Sequence, residues 1–139
     1  MIVADTGAII ALIDSDDKHH ARMVELFQRD PAAWVLPWAI LPEVDYLLQR
    51  YLGDRLATAF MSDLATGSFA VEWGDEQDIT RALAIREQYR DLCLGLVDSV
   101  VAAIAERLRA TAIATVDLRD FGALELEGSP QLWPRDASS

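Results

Sequence analysis

Two short apolar segments of this chain end on aspartate: Ile2-Val3-Ala4 runs into Asp5, and Ala112-Ile113-Ala114-Thr115-Val116 runs into Asp117. Short, nearly continuous apolar runs suit strands buried on both faces, the situation of a parallel sheet covered by helices. Two further acids, Glu43 and Asp98, stand at the beginnings of helical segments. A parallel α/β sheet brings the ends of its strands and the starts of the following helices to one rim. Carboxylates gathered there raise one another's pKa and oppose folding unless a cation joins them. Hard oxygen donors of this kind suit Mg²⁺, with Mn²⁺ as the alternative. Taken singly, Glu43 and Asp98 also have a plainer explanation, because a helix dipole favours a first-turn carboxylate by about 0.3 to 1 kcal/mol.

The remaining segments fit the same architecture. Residues 18–30 form an amphipathic helix with Ala21, Val24, Leu26 and Phe27 inward, stopped by Pro31. Trp34-Val35-Leu36 is a strand ended by Pro37. Apolar positions 40, 44, 47, 48 and 51 repeat at helical spacing, with Pro42 in the first turn, where it is tolerated. Gly53 separates this helix from another at about 54–66, with Leu56, Ala57, Phe60 and Leu64 inward. Residues 69–73 are a strand and 76–91 a helix that buries Ile79, Ala82, Leu83 and Tyr89. Val97, Val100, Val101, Ile104 and Leu108 stripe a helix from Leu96 to about Arg109, Ala112–Val116 is the fourth strand, and Leu132-Trp133 is a weak edge strand. Strands alternating with amphipathic helices predict a three-layer α/β domain over residues 1–134, followed by a short polar tail, 135–139, that is expected to fray.

Charge narrows the function classes. The 139 residues carry 23 acidic and 12 basic side chains, a formal charge of −11, which argues against broad electrostatic affinity for nucleic acid. It leaves local patches open and would suit a basic protein partner. No segment approaches the roughly 18 apolar residues of a membrane span, so a soluble, cytoplasmic protein with no membrane partner is expected. The one cysteine, Cys93, sits in Leu92-Cys93-Leu94 and is expected to be a small buried hydrophobe. The only histidines, His19 and His20, are adjacent and expected at the surface. Thr6, Ser99 and Thr115 place hydroxyls beside three of the acids, where they could orient carboxylates or water, or simply cap turns.

Four segments carry a family resemblance: Met1-Ile2-Val3-Ala4-Asp5-Thr6-Gly7, Leu41-Pro42-Glu43-Val44, Leu96-Val97-Asp98-Ser99 and Ile113-Ala114-Thr115-Val116-Asp117-Leu118-Arg119-Asp120-Phe121. In order and spacing they resemble the signature segments of PIN-domain ribonucleases, and most nearly the VapC toxin branch of toxin–antitoxin pairs. The resemblance spans essentially the whole chain. It implies an α/β/α PIN-like fold with a mainly parallel four- or five-stranded sheet. Asp5, Glu43, Asp98 and Asp117 would be the catalytic, metal-organising acids, and Asp120 an additional acid that reaches the metal through water. Thr6 and Ser99 would be small polar neighbours that support them. The implied activity is Mg²⁺- or Mn²⁺-dependent hydrolysis of selected structured RNA by a homodimer, inhibited by a VapB-like antitoxin.

RNA would also need contacts outside the acidic pocket. Arg81, Arg86 and Arg90 on one long helix, and Arg50 and Arg55 on either side of Gly53, are candidates for phosphate contact or for an ordinary solvated face. Trp38, just ahead of the Glu43 helix, suits base contact and core packing equally. Three other readings stay open: a PIN nuclease of RNA processing that has no antitoxin, a non-catalytic acidic interaction protein, and an aspartyl-nucleophile phosphatase. The last is disfavoured by glycine at position 7 and by the absence of any lysine after Lys18.

Overall fold

Val3 and Ala4 are fully buried because their strand is the middle of a five-stranded parallel sheet of order β3-β2-β1-β4-β5. The computed structural model describes residues 1–139. The strands are β1 (Ile2–Ala4), β2 (Trp34–Pro37), β3 (Ala70–Glu72), β4 (Ala112–Ala114) and β5 (Gln131–Trp133), and β1 and β4 are buried at every position. Seven α-helices connect them: α1 (Thr6–Ile13), α2 (His20–Arg29), α3 (Leu41–Tyr51), α4 (Asp54–Thr66), α5 (Glu76–Gln88), α6 (Leu96–Arg107) and α7 (Leu118–Phe121). With the right-handed crossovers that parallel strands adopt, this strand order puts α1 to α4 on one face and α5 to α7 on the other, the three layers expected. Strand order reverses between β1 and β4, and a crevice for ligands forms at such a switch point.

Local chemistry sets most boundaries. Asp75 and Asp78 form a reciprocal capping box at the start of α5. Gly67, with φ of 80°, closes α4 in the left-handed conformation that glycine adopts without steric cost. Pro42 lies in the first turn of α3, which leaves Glu43 in that turn too.

Several expectations are corrected. In α2, Met23 is buried and Ala21 exposed, so the inward stripe is centred on Met23 and Leu26. Tyr51 is exposed at the end of α3. Helix α5 buries Asp78, Ala82 and Ile85 against α6, which turns Ile79 and Leu83 outward, 47% and 55% exposed. Cys93 is exposed in a left-handed conformation (φ 55°) after a 3-10 turn at Arg90–Leu92, and Leu94 takes the buried place. The tail is tied down as well: Arg22 and Arg29 donate to the Ser138 carbonyl at 2.8 and 3.0 Å, and Asp136 accepts from the Leu132 N–H at 2.9 Å. No helix is long and apolar enough to cross a membrane.

Candidate active site

The register of the two central strands builds the site. Ala4 lies opposite Ala114, so the residues that follow, Asp5 and Thr115, emerge side by side at the carboxyl rim. The Asp5 N–H donates to the Ala114 carbonyl at 2.8 Å, which extends the ladder by one residue and fixes the aspartate backbone. Asp5 then caps α1, accepting the Thr6 N–H on Oδ1 at 2.8 Å, while its Oδ2 accepts the Thr115 hydroxyl at 3.0 Å. Thr115 Oγ1 in turn accepts the Asp117 N–H at 3.0 Å, and Asp117 Oδ1 accepts the Asp120 N–H at 3.1 Å, capping α7. Asp98 enters from the first turn of α6 and Glu43 from the first turn of α3.

These elements enclose a cleft of about 560 Å³ lined by Asp5, Thr6, Gly7, Glu43, Leu47, Gly95, Leu96, Val97, Asp98, Val116 and Asp117. All four acids proposed from the sequence therefore meet. Asp120 lies with them: one carboxylate oxygen from each of Asp98, Asp117 and Asp120 lies within 4.8 Å of the other two. Gly7 belongs to the wall for a steric reason: a Cβ there would lie 2.5 Å from Val116 Cγ2.

Electrostatics follow from this crowding. Burial pushes Asp5 up to about 6 from 3.8, against the hydrogen bonds from Thr6 and Thr115 that favour its charged form, and Glu43 and Asp117 push it further. Asp98 rises to about 7, first through desolvation and then through the nearby charges of Asp5, Asp117, Asp120 and Glu43. No arginine or lysine forms an ion pair with any of the five acids. The fit to a divalent cation rests on two features. The donors are all carboxylate oxygens, the set that Mg²⁺ and Mn²⁺ prefer. In addition, the buried Thr6 Oγ1, on the wall of the cleft, has no hydrogen-bond partner, as expected of an atom waiting for a bound water or ligand.

The supporting hydroxyls divide. Thr115 holds two acids, Thr6 offers its free oxygen, and Ser99 donates to the Gly95 carbonyl at 2.8 Å, fixing the start of α6 and touching none of the acids. The arginines divide too. Arg81 is spent on Glu106, with bonds of 2.6 and 3.1 Å, and that pairing raises its pKa. Arg50 stacks over Tyr51 with its guanidinium carbon 5.8 Å from the ring centroid. Arg55 and Arg90 are exposed, in α4 and in the turn after α5, and Arg86 lines a groove beside Leu96 and Ser99. Sequence periodicity does not mark Leu47 or Val116 as cleft walls, whereas Gly7, two residues after a strand-end acid, carries a readable signal for close backbone approach.

A parallel sheet between helical layers, with carboxylates from the ends of β1 and β4 and from the first turns of α3 and α6 converging on one cleft, defines an α/β domain with an acidic site at its rim. Residues 2–125 match the PIN domain, and the chain belongs to that family. Ribonuclease VapC26 of Mycobacterium tuberculosis is 29% identical over 123 residues, covering 88% of this chain and 91% of that protein. Among solved structures, M. tuberculosis VapC20, described as a sarcin-ricin loop cleaving toxin, superposes with a TM-score of 0.80 at 22% identity, over 94% of this chain and 99% of that one. A DNA-bound VapBC from Salmonella typhimurium gives a TM-score of 0.67 at 20% identity, over 94% and 95% of the two chains. These two structures establish the likeness of fold.

Proposed function

We propose that this chain is a VapC-like toxin: an endoribonuclease that requires Mg²⁺ or Mn²⁺, cuts selected structured RNA in the cytoplasm as a homodimer, and is held inactive by a VapB-like antitoxin. The observation that carries the reading is the meeting of Asp5, Glu43, Asp98, Asp117 and Asp120 from five places in the sequence with no basic side chain to neutralise them. The ribonuclease named at 29% identity supports the chemistry, and the toxin–antitoxin complexes among the structural relatives support the partner.

Asp98, Asp117 and Asp120 would hold the cation, with Asp5 and Glu43 completing its charge balance. When bound, a divalent cation neutralises phosphodiester charge and lowers the pKa of a coordinated water. The protein's own contribution is orientation. Both Asp5 oxygens are fixed by Thr6 and Thr115, so that carboxylate cannot rotate when charge builds nearby. Asp98, whose carboxylate makes no hydrogen bond within the protein, is pushed up to about 7 without metal by burial and by the neighbouring acids, a penalty that a bound cation would relieve. Leu47, Leu96, Val97 and Val116 form the apolar part of the cleft wall.

The experiment is to induce the chain and its Asp98→Asn variant briefly and map new RNA 5′ ends. Ends that occur only with the wild type and cluster in one loop support the reading. Indiscriminate cutting would sink the selectivity claim, and no metal-dependent cutting from inhibitor-free protein would sink the nuclease claim.

A further inference from the structure

Helices α5 and α6 pack antiparallel, and two ion pairs fix their register at one end. Arg107 grips Asp78 at 2.7 and 3.0 Å, and Arg81 grips Glu106. The opposite end of the pair lies at the acidic cleft, because α6 begins there with Leu96, Val97 and Asp98. Along one face α5 presents Ile79, Leu83 and Arg86, spaced by four and three residues, and Arg86 is the one nearest the cleft end. Together with Ala82, Leu96 and Ser99 they line a groove of about 190 Å³. Leu96, 55% exposed, lines both the groove and the cleft, so the two adjoin across its side chain.

Charge is distributed unevenly along this helix pair. At the far end Arg81 and Arg107 are neutralised by Glu106, Asp78 and Glu72. At the cleft end Arg86 is exposed and takes part in none of the ion pairs. The groove is therefore mainly apolar and bears one free cation, directly beside a cleft of carboxylates. A polyanion meeting a protein of charge −11 needs such a local cation to stay engaged, and a nucleobase needs an apolar wall once it is unstacked.

We infer that this groove seats the nucleotide flanking the scissile phosphate of a single-stranded RNA segment, with Arg86 on its phosphate and Leu83 and Leu96 against its base. The assignment rests on the ribonuclease function proposed above and adds the path by which substrate reaches the acids. It also separates the arginines of α5: Arg86 binds RNA, whereas Arg81 braces α6.

The test measures binding of a short fluorescein-labelled single-stranded RNA, over a range of salt, to the Asp98→Asn protein with and without Arg86→Gln, and KM and kcat in the Asp98 background. Arg86→Gln should weaken binding about five- to twentyfold, because one charge-assisted contact is lost. It should flatten the slope of log affinity against log salt by about 0.7, the single-strand increment for one phosphate. KM should rise with kcat within about twofold, Arg86→Lys should recover the salt slope, and Arg81→Gln should leave that slope unchanged. Unchanged affinity and slope in Arg86→Gln, with the wild type active, would overturn the assignment. A shift in the monomer–dimer balance with an intact salt slope would also overturn it, giving the groove to a second copy of the chain. RNA binding with full Arg86 dependence but no cleavage would uphold the groove as an RNA site and remove the nuclease reading instead.

Discussion

Thr115 Oγ1 donates its hydrogen to Asp5 Oδ2 across the two central strands at 3.0 Å, and Thr115 Oγ1 itself accepts the Asp117 N–H at 3.0 Å. One fully buried side chain thus orients two acids 112 positions apart in the sequence, as a direct result of the Ala4–Ala114 register. The bond also holds down the pKa of Asp5 against the burial that raises it.

Thr115→Val, nearly the same in shape, should therefore raise the Asp5 pKa further above about 6 and move the acid limb of the pH–rate profile upward. It leaves the Asp117 N–H without its acceptor, a loss of about 1 to 3 kcal/mol in stability. Thr115→Ser should restore both. Rate profiles across pH and urea melts of the three proteins check this, and coincident profiles for valine and threonine would remove Thr115 from the catalytic account.

Asp98 predicts how metal-free stability responds to pH. Its folded pKa, about 7, lies above the ordinary 3.8, so the folded state binds more protons than the unfolded state between those values. Stability is accordingly retained below about pH 4 and lost as pH rises through 7, and buried Asp5, moved from 3.8 to about 6, adds about 3 kcal/mol in the same direction. Asp98→Asn should raise the melting temperature of metal-free protein at alkaline pH by about 2 to 6 °C while abolishing cleavage. Mg²⁺ should stabilise the wild type and do much less for the variant. Thermal melts with and without EDTA decide it, and a melting temperature lowered by Asp98→Asn would show that its burial is not a cost.

Much of the site was legible in the sequence because strand-end acids and helix-start acids are local features: Asp5, Asp117, Glu43 and Asp98 are positioned by elements whose apolar runs are plain to read. What periodicity could not settle was which of two adjacent stripes on α5 packs inward. Residues 79 and 83 look like core positions, yet Asp78 is drawn in by Arg107 from α6, and that ion pair rotates the helix. The role of Arg81 was hidden for the same reason, since Glu106 lies 25 positions away. The closeness of Asp120 to Asp98 depends on a four-residue helix that Asp117 caps, a tertiary detail with no sequence period.

The Arg107–Asp78 pair should be structural. Asp78 is 2% exposed and is gripped by both the Nε and an NH of Arg107. Removing one partner of such a buried pair leaves an uncompensated charge, so Arg107→Met should cost about 3 kcal/mol. Arg107→Met combined with Asp78→Asn should recover part of that loss. The kcat of whatever protein remains folded should stay within about twofold of the wild type, because this end of α6 lies away from the cleft. Chemical denaturation of the two single variants and the double variant yields the coupling directly, and an additive result would contradict the pairing.

Gly7 and Val116 make the sharpest steric prediction. A methyl group at position 7 would sit 2.5 Å from Val116 Cγ2, closer than any real contact, and a β-branched valine has few rotamers with which to yield. Helix propensity alone would make Gly7→Ala stabilising by about 1 kcal/mol, so a loss of stability in the single variant isolates the clash. The displaced Val116 would carry the neighbouring Asp117 with it, and cleavage should fall at least tenfold, a loss of about 1.4 kcal/mol in transition-state stabilisation. Val116→Ala removes the colliding methyl, and in that background Gly7→Ala should become stabilising and activity should return. If the double variant stays as inactive as Gly7→Ala alone, the glycine serves substrate entry and not the placement of Asp117.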